Sequence, residues 1–375
     1  MQKTFLAAAA FLAAASTGAS AQLFEAGGLT LRAQVLAEGL DHPWGLDFLP
    51  DGAALVTERS GRLRLFTDGS LSAPLAGVPE VANFGQGGLL DVRVSPDFET
   101  NSTIFLSYSQ PGSGGAGTAI ARAELVREGE TPTLKAAQTI FSMSRKTGAG
   151  QHFGSRIVFA PDGTLFFTIG ERGEPDRAQD PGDHAGSVLR ILPDGGVPED
   201  NPFADQEGAA PEIWSVGHRN PQGAVWDPVT DALWIVEHGA RGGDEVNRPE
   251  AGRNYGWPVI SYGRHYSGMK IGRGTQAPGY EQPEYYWDPS IAPSGMAVYT
   301  GSMFPEWQGD FLLGALRSQL VARLDRDGEG NIAGEEHLFE GAFGRIRDVD
   351  VAPDGSVWLL TDEDNGQIIR ISRAD

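Results

Sequence analysis

Cysteine is absent from the 375 residues. That excludes disulfide staples, thiolate metal sites and a cysteine nucleophile, so stability must come from a large core. Positive charge is scarce: 29 Lys and Arg stand against 50 Asp and Glu, a formal charge of −21. Such a surface repels phosphate backbones, and no nucleic acid is expected as partner. Long apolar runs are missing beyond the first residues, which argues against an integral membrane segment. Long amphipathic helical patterns are missing as well. Histidine is sparse, at 7 residues, and His184, His218, His238 and His265 show no zinc-type spacing and read as structural.

The chain opens with Met-Gln-Lys, continues "TFLAAAAFLAAASTG" and reaches "ASAQ". A charged start, a short apolar core and a small-residue cleavage site ending at Ala21 are the marks of a secretory signal peptide. Residues 1–21 are therefore expected to be a leader, and 22–375 one exported domain, periplasmic or secreted. Loss of Lys3 takes the charge from −21 to −22.

What is abundant is the hairpin. An apolar strand, a Pro-Asp-Gly type turn and a second strand ending in a polar residue recur in "GLDFLPDGAALVTE", "DVRVSPDFETNSTIFLSYS", "RIVFAPDGTLFFTIGE", "AVWDPVTDALWIVEHG" and "DVDVAPDGSVWLLTDE". A degenerate sixth copy, "MAVYTGSMFPEWQGDFLLGAL", starts at Met296. Alternation with period two marks strands, and Pro-Asp-Gly supplies the preset φ and left-handed glycine of a tight turn. The turn prolines fall at 50, 96, 161, 228, about 305 and 353. Such spacing with insertions predicts an all-β, six-bladed β-propeller of four-stranded antiparallel blades. With 8 Trp and 18 Phe, the aromatics are expected to pack between blades.

Polar loops accompany each copy: "NFGQGGLLDV", "GQHFGSR", "SVGHRNPQGAVW", "EHGARGGDEVN" with "GRNYGWP", "GALRSQ" and "GRIRDV". A propeller gathers such loops at one end of its channel. Taken alone, His152 in "GQHFGSR" is an ordinary polar loop residue. Arg345 and Arg347 stand two apart, so on a strand both point to one face, and Arg219 and Arg317 occupy comparable loops.

Together these loops resemble the soluble aldose sugar dehydrogenases that use pyrroloquinoline quinone, over residues from about His42 to Ile371. The resemblance implies a six-bladed propeller that holds the quinone and Ca²⁺ at the top of its channel and oxidises aldoses to lactones. It implies His152 as general base, and Gln86, Arg219, Asn220, Tyr266, Ala315, Leu316, Arg317, Arg345, Ile346 and Arg347 as quinone contacts. It also implies calcium at the carbonyls of Gly239 and Ala240, and a further calcium position at Glu245 and Tyr255.

The residue types suit that chemistry. A cofactor with three carboxylates needs fixed cations, and the planar fork of arginine binds carboxylate at two points. Neutral imidazole suits a base for the sugar hydroxyl, and a hard cation with oxygen ligands suits polarisation of a quinone carbonyl. Three positions differ from the family pattern, two of them against its glucose-oxidising branch: Gln151 stands where that branch has Asp before the histidine, and Arg317 where it has Lys. Gln151 carries no charge, so any carboxylate that tunes His152 must come from elsewhere. Ala240 replaces a proline, at a position where the carbonyl is the expected ligand.

Asp325–Glu336, "DRDGEGNIAGEE", matches the spacing of an EF-hand loop, but the alternating "LVARL" before it predicts a charged hairpin turn. The aldose sugar and an external electron acceptor, a quinone or cytochrome, are the expected partners of a monomer or dimer. A calcium-dependent propeller lactonase or esterase and a noncatalytic binding propeller are the alternatives. A metal hydrolase has no need of four converging arginines.

Overall fold

The computed structural model describes residues 21–127 and 131–374. The expected leader therefore lies, apart from Ala21, outside the described residues. No helix among the described residues is long and apolar enough to cross a membrane.

Six antiparallel sheets form the blades of a propeller. Each begins with an inner strand that lines the channel: Pro43–Phe48, Leu89–Val94, Ile157–Phe159, Pro221–Asp227, Pro293–Val298 and Ile346–Val351. Five sheets have four strands in chain order from the channel outward. The sixth departs from the expected pattern, with five. Its three C-terminal strands are completed by Leu29–Leu40, which pairs with Gly366–Arg373, and by Gln22–Ala26 at the edge. Leu29, Leu31 and Ala33 of the joining strand are buried in alternation, so the N-terminal segment closes the ring and buries an otherwise open sheet edge.

The Pro-Asp-Gly turns join inner to second strands, with Gly52, Gly163 and Gly355 all at positive φ. They lie at one end of the channel. The opposite end is formed by residues just before each inner strand and just after each second strand. Those are the polar loops singled out above. Residues 325–336 form a hairpin between Leu320–Arg326 and Ile332–Leu338, with Asp327 accepting from the Glu329 and Asn331 amides.

Apolar side chains fill the spaces between blades, and charge fills the channel. Arg156, 1% exposed, donates to Asp91 at 3.0 Å and Asp348 at 3.1 Å, and through Nε to the Gln222 carbonyl at 3.1 Å. Its guanidinium lies 4.3 Å from the centre of the Trp44 ring. Asp348 also accepts from the Leu46 amide, and Asp91 from the Ile157 amide. One arginine thus ties together the inner strands of five blades. Glycine permits the approach: a Cβ on Gly45 would sit 2.7 Å from Asp91 Oδ1, and one on Gly295 would overlap Asp348. Below this layer, Arg93 is held protonated against its burial by Asp91, Asp47 and Asp350.

Breaking a buried charge network by removing one partner costs about 3–5 kcal/mol. Arg156→Met is expected to lose stability on that scale in chemical denaturation at pH 7. Burial already pushes the Asp348 carboxyl up, with Arg156 opposing, so the variant's folded-state carboxyl rises further. A group whose folded pKa is raised destabilises most when ionised, so the deficit should shrink as pH falls from 7 toward 4. A deficit that grows on acidification contradicts this account.

Candidate active site

His152 precedes the third inner strand, in the left-handed region at φ 56°. Its Nδ1 lies 2.6 Å from Glu171 Oε1 and its amide donates to Gln86 Oε1 at 2.8 Å. Glu171 follows the second strand of the same blade, Leu165–Ile169. A carboxylate accepts only, so the neutral ring carries its proton on Nδ1 and keeps Nε2 as the basic nitrogen. The acid that Gln151 does not supply is therefore Glu171.

The strained loop is held from below. Arg172, fully buried and also at positive φ, donates to the Gln151 carbonyl and, at 2.6 Å, to the Ala149 carbonyl. Its guanidinium lies 3.4 Å over the Phe153 ring. Burial, then Arg177, lowers its pKa to about 10, which leaves it charged at neutral pH. Burial also lowers the His152 pKa, assisted by Arg219 and Arg172 and opposed by Glu171. The imidazole is thereby kept neutral near pH 7.

Two adjoining cavities, about 370 and 390 Å³, share Gln86, His238 and Ala292 as walls. The first holds Arg59, Arg345 and Arg347, and the second His152, Arg219, Arg241 and Arg317. Six arginines thus face two carboxylates, Asp362 and Glu363. Asp362 Oδ2 accepts from Arg345 at 3.2 Å and Arg347 at 2.6 Å. Burial would raise that carboxyl, but Arg347 and then Arg345 outweigh burial and hold it far below the usual range. Nε atoms of Arg59, Arg219 and Arg347 are buried without partners. A net-cationic pair of cavities in so acidic a protein has the charge to accept a polyanion.

Most of the expected residues converge here. Asn220 accepts from the Gly154 amide at 3.2 Å, and Leu316 lines the first cavity. Tyr266, 75% exposed, lines the second with Gly239 and Ala240. The side chains of Ala315 and Ile346 do not reach either cavity and belong to the blade cores. The Gly239 carbonyl accepts from Arg219 Nη1, and its second lone pair remains available. Asp244 fixes this loop by accepting from the Gly239, Ile291 and Ala292 amides.

Glu245 and Tyr255 line a separate small cavity beside Glu237. Burial, then Glu237, pushes the Glu245 carboxyl up to about 8, as expected of an acid whose charge lacks a counterion. The Tyr255 hydroxyl is engaged by the Arg248 carbonyl and the Glu250 amide. His218 is structural, placed between Ser215 and Glu237 and stacked on Tyr255. His238, buried against the Pro293 carbonyl, has its pKa lowered to about 3 by burial and then Arg219. Among the described residues, no group of three or more His, Asp and Glu converges to hold a metal. The hydrolase alternative thus lacks a side-chain metal cage.

Sequence reasoning missed Glu171, Arg172, Arg59 and Asp362. All but Arg172 stand at or just past the polar end of a second strand, in "TIGE", "VTER" and "LLTDE", so superposing the repeats would have found them.

A neutral histidine backed by a carboxylate, beside a cationic cavity at one end of a propeller, has the chemistry of an enzyme site. The chain belongs to the glucose/sorbosone dehydrogenase family, whose model matches residues 40–370. It is 44% identical over 348 residues to "Aldose sugar dehydrogenase YliI" of Escherichia coli (strain K12), covering 92% of this chain and 93% of that protein. The apo-form crystal structure of the soluble aldose sugar dehydrogenase from Escherichia coli matches with a TM-score of 0.88 at 43% identity, over 92% of this chain and 99% of that one. The PQQ-bound aldose sugar dehydrogenase from Streptomyces coelicolor matches with a TM-score of 0.75 at 28% identity, over 91% and 98%.

The His152 titration, followed by imidazole NMR, should have its midpoint below the ordinary 6.5. In Glu171→Gln it should fall further, because the one group favouring the cation is gone. In Arg172→Met it should rise, because a neighbouring positive charge is gone. A rise in Glu171→Gln contradicts the assigned electrostatics.

Proposed function

We propose that this protein oxidises aldose sugars to lactones, with pyrroloquinoline quinone and Ca²⁺ bound at the arginine-lined end of the channel. The observation that carries the reading is the meeting of a carboxylate-backed neutral histidine with a cavity holding an excess of arginine. Arg219, Arg345 and Arg347 would hold the cofactor's carboxylates through charge-assisted hydrogen bonds, with Gln86, Asn220 and Arg317 beside them. The Gly239 and Ala240 carbonyls would contribute to a calcium shell. The bound quinone would supply the acceptor for the hydride from the anomeric carbon.

The remaining work falls to the chain. His152 Nε2 takes the proton of the anomeric hydroxyl as the C–H bond breaks. Glu171 orients the ring and stabilises the imidazolium that forms. Arg172, gripping residues 149 and 151, keeps the loop in register with the cavity. The buried carboxyl of Glu245 suits a second cation, since a divalent ion would supply the missing counter-charge. An external electron acceptor would be needed to complete the cycle.

Reconstitution with the quinone and Ca²⁺, assayed on glucose and other aldoses with a dye acceptor, tests the reading. Turnover should need both additions and be lost in excess chelator. His152→Gln should lower turnover by about 10²-fold or more while the quinone still binds. Full turnover in excess chelator, or near wild-type turnover in His152→Gln, overturns the assignment.

A further inference from the structure

Beyond the His152 cavity lies a cleft of about 500 Å³ that shares the Arg241 and Arg317 walls with it and adds Arg264 and Asp288. Here the backbone builds an unusual row. Arg241 and Arg264 face each other across an antiparallel bridge, exchanging amide–carbonyl bonds of 2.9 and 3.2 Å, and Arg264 in turn bridges Lys270. Residues opposed in this way project to the same side with Cβ atoms about 5 Å apart, where like charges are unfavourable. All three are exposed. Among the described residues Arg241 and Arg264 make no ion pair, and Lys270 donates only to the Arg273 carbonyl, at 2.8 Å. The segment from Arg264 to Arg273 contains no acid. Asp288 is the sole carboxylate on the cleft wall. A chain with 50 acidic residues has thus kept its acids away from one cationic row beside the active site.

We infer that this cleft is an anion subsite, which takes the carboxylate or phosphate of an acidic sugar whose reducing end reaches His152. The inference rests on the proposed dehydrogenase function and names its substrate class: acidic oligosaccharides. The cleft shares Arg317 with the proposed quinone site, but Arg241, Arg264 and Lys270 take no part in that site, and arginines 345 and 347 line the other cavity, on the far side of Gln86, His238 and Ala292. A negatively charged sugar would be drawn from an acidic surface to a positive region at the mouth. It would also relieve the repulsion along the row. Neutral sugars gain neither effect.

The test uses the quinone- and Ca²⁺-loaded protein with two disaccharides that share a reducing-end glucose, cellobiose and glucuronosyl-β-1,4-glucose. At low salt kcat/KM should favour the acidic sugar by at least about fivefold, expressed in KM, and the advantage should fade as salt screens the exposed charges. In Arg264→Gln/Lys270→Gln the ratio should drop to about one. Each variant's cellobiose rate reports its folding and loading. Equal ratios in wild type and variant overturn the subsite. So does a variant that leaves the sugar ratio intact but raises the KM for ferricyanide, since the anion bound there is then the acceptor. If wild type oxidises cellobiose without preference for the acidic sugar, this inference fails and the dehydrogenase reading stands. If it oxidises glucose but neither disaccharide, this inference alone fails, and if it oxidises no aldose the dehydrogenase reading fails as well.

Discussion

Arg156 is the constraint on which the rest of the architecture depends. A propeller of separate blades has no continuous sheet to hold its centre, and here the inner strands are drawn together by one buried guanidinium between Asp91 and Asp348. Those carboxylates also cap backbone amides at Leu46 and Ile157, so the ion triad fixes strand height as well as distance. Its Nε bond to the Gln222 carbonyl passes the same registration upward. The Gln222 side chain accepts from Arg347 at 3.0 Å and approaches Asn220 at 3.3 Å. The floor of the cationic cavity is therefore continuous with the network that assembles the ring. Buried ion clusters are weak sources of net stability, but they penalise any arrangement that leaves a member unpaired.

Charge is arranged against the average of the molecule. The surface is acidic, while the cavities at one end carry the excess of arginine, with Asp362 binding two of them. Within that field His152 stays neutral although Glu171 sits at hydrogen-bond distance, because burial and two neighbouring guanidinium groups act the other way. A base must be unprotonated to act and must stabilise its proton once taken. The pairing of desolvation with a close carboxylate meets both conditions.

Much of this was legible in the chain. The Pro-Asp-Gly hairpins announced six blades because their turn chemistry is local, and the loops at the other strand ends held most of the residues that now line the cavities. The closing strand Leu29–Leu40 carries no such turn, and its partner Gly366–Arg373 lies at the opposite end of the sequence, so nothing local pointed to a fifth strand in the last blade. Glu171 was hidden for a related reason: with Gln151 beside His152 the acid had to come from elsewhere in the chain, and only the fold shows that it comes from the far end of the neighbouring strand. Arg172 had no sequence signal at all. Its role depends on a positive-φ turn that only the folded loop reveals.

The central claim is that the arginine-lined end of the channel is built to hold a polyanionic quinone. Titration of the apo protein with pyrroloquinoline quinone and Ca²⁺, followed by quenching of tryptophan fluorescence, measures this directly. The account predicts tight binding by wild type and a loss of at least about 10²-fold in Arg345→Gln/Arg347→Gln, since unpaired buried charge costs about 2–5 kcal/mol. Thermal unfolding of the same variant confirms that it is folded. A folded variant that binds the quinone as tightly as wild type would contradict the claim.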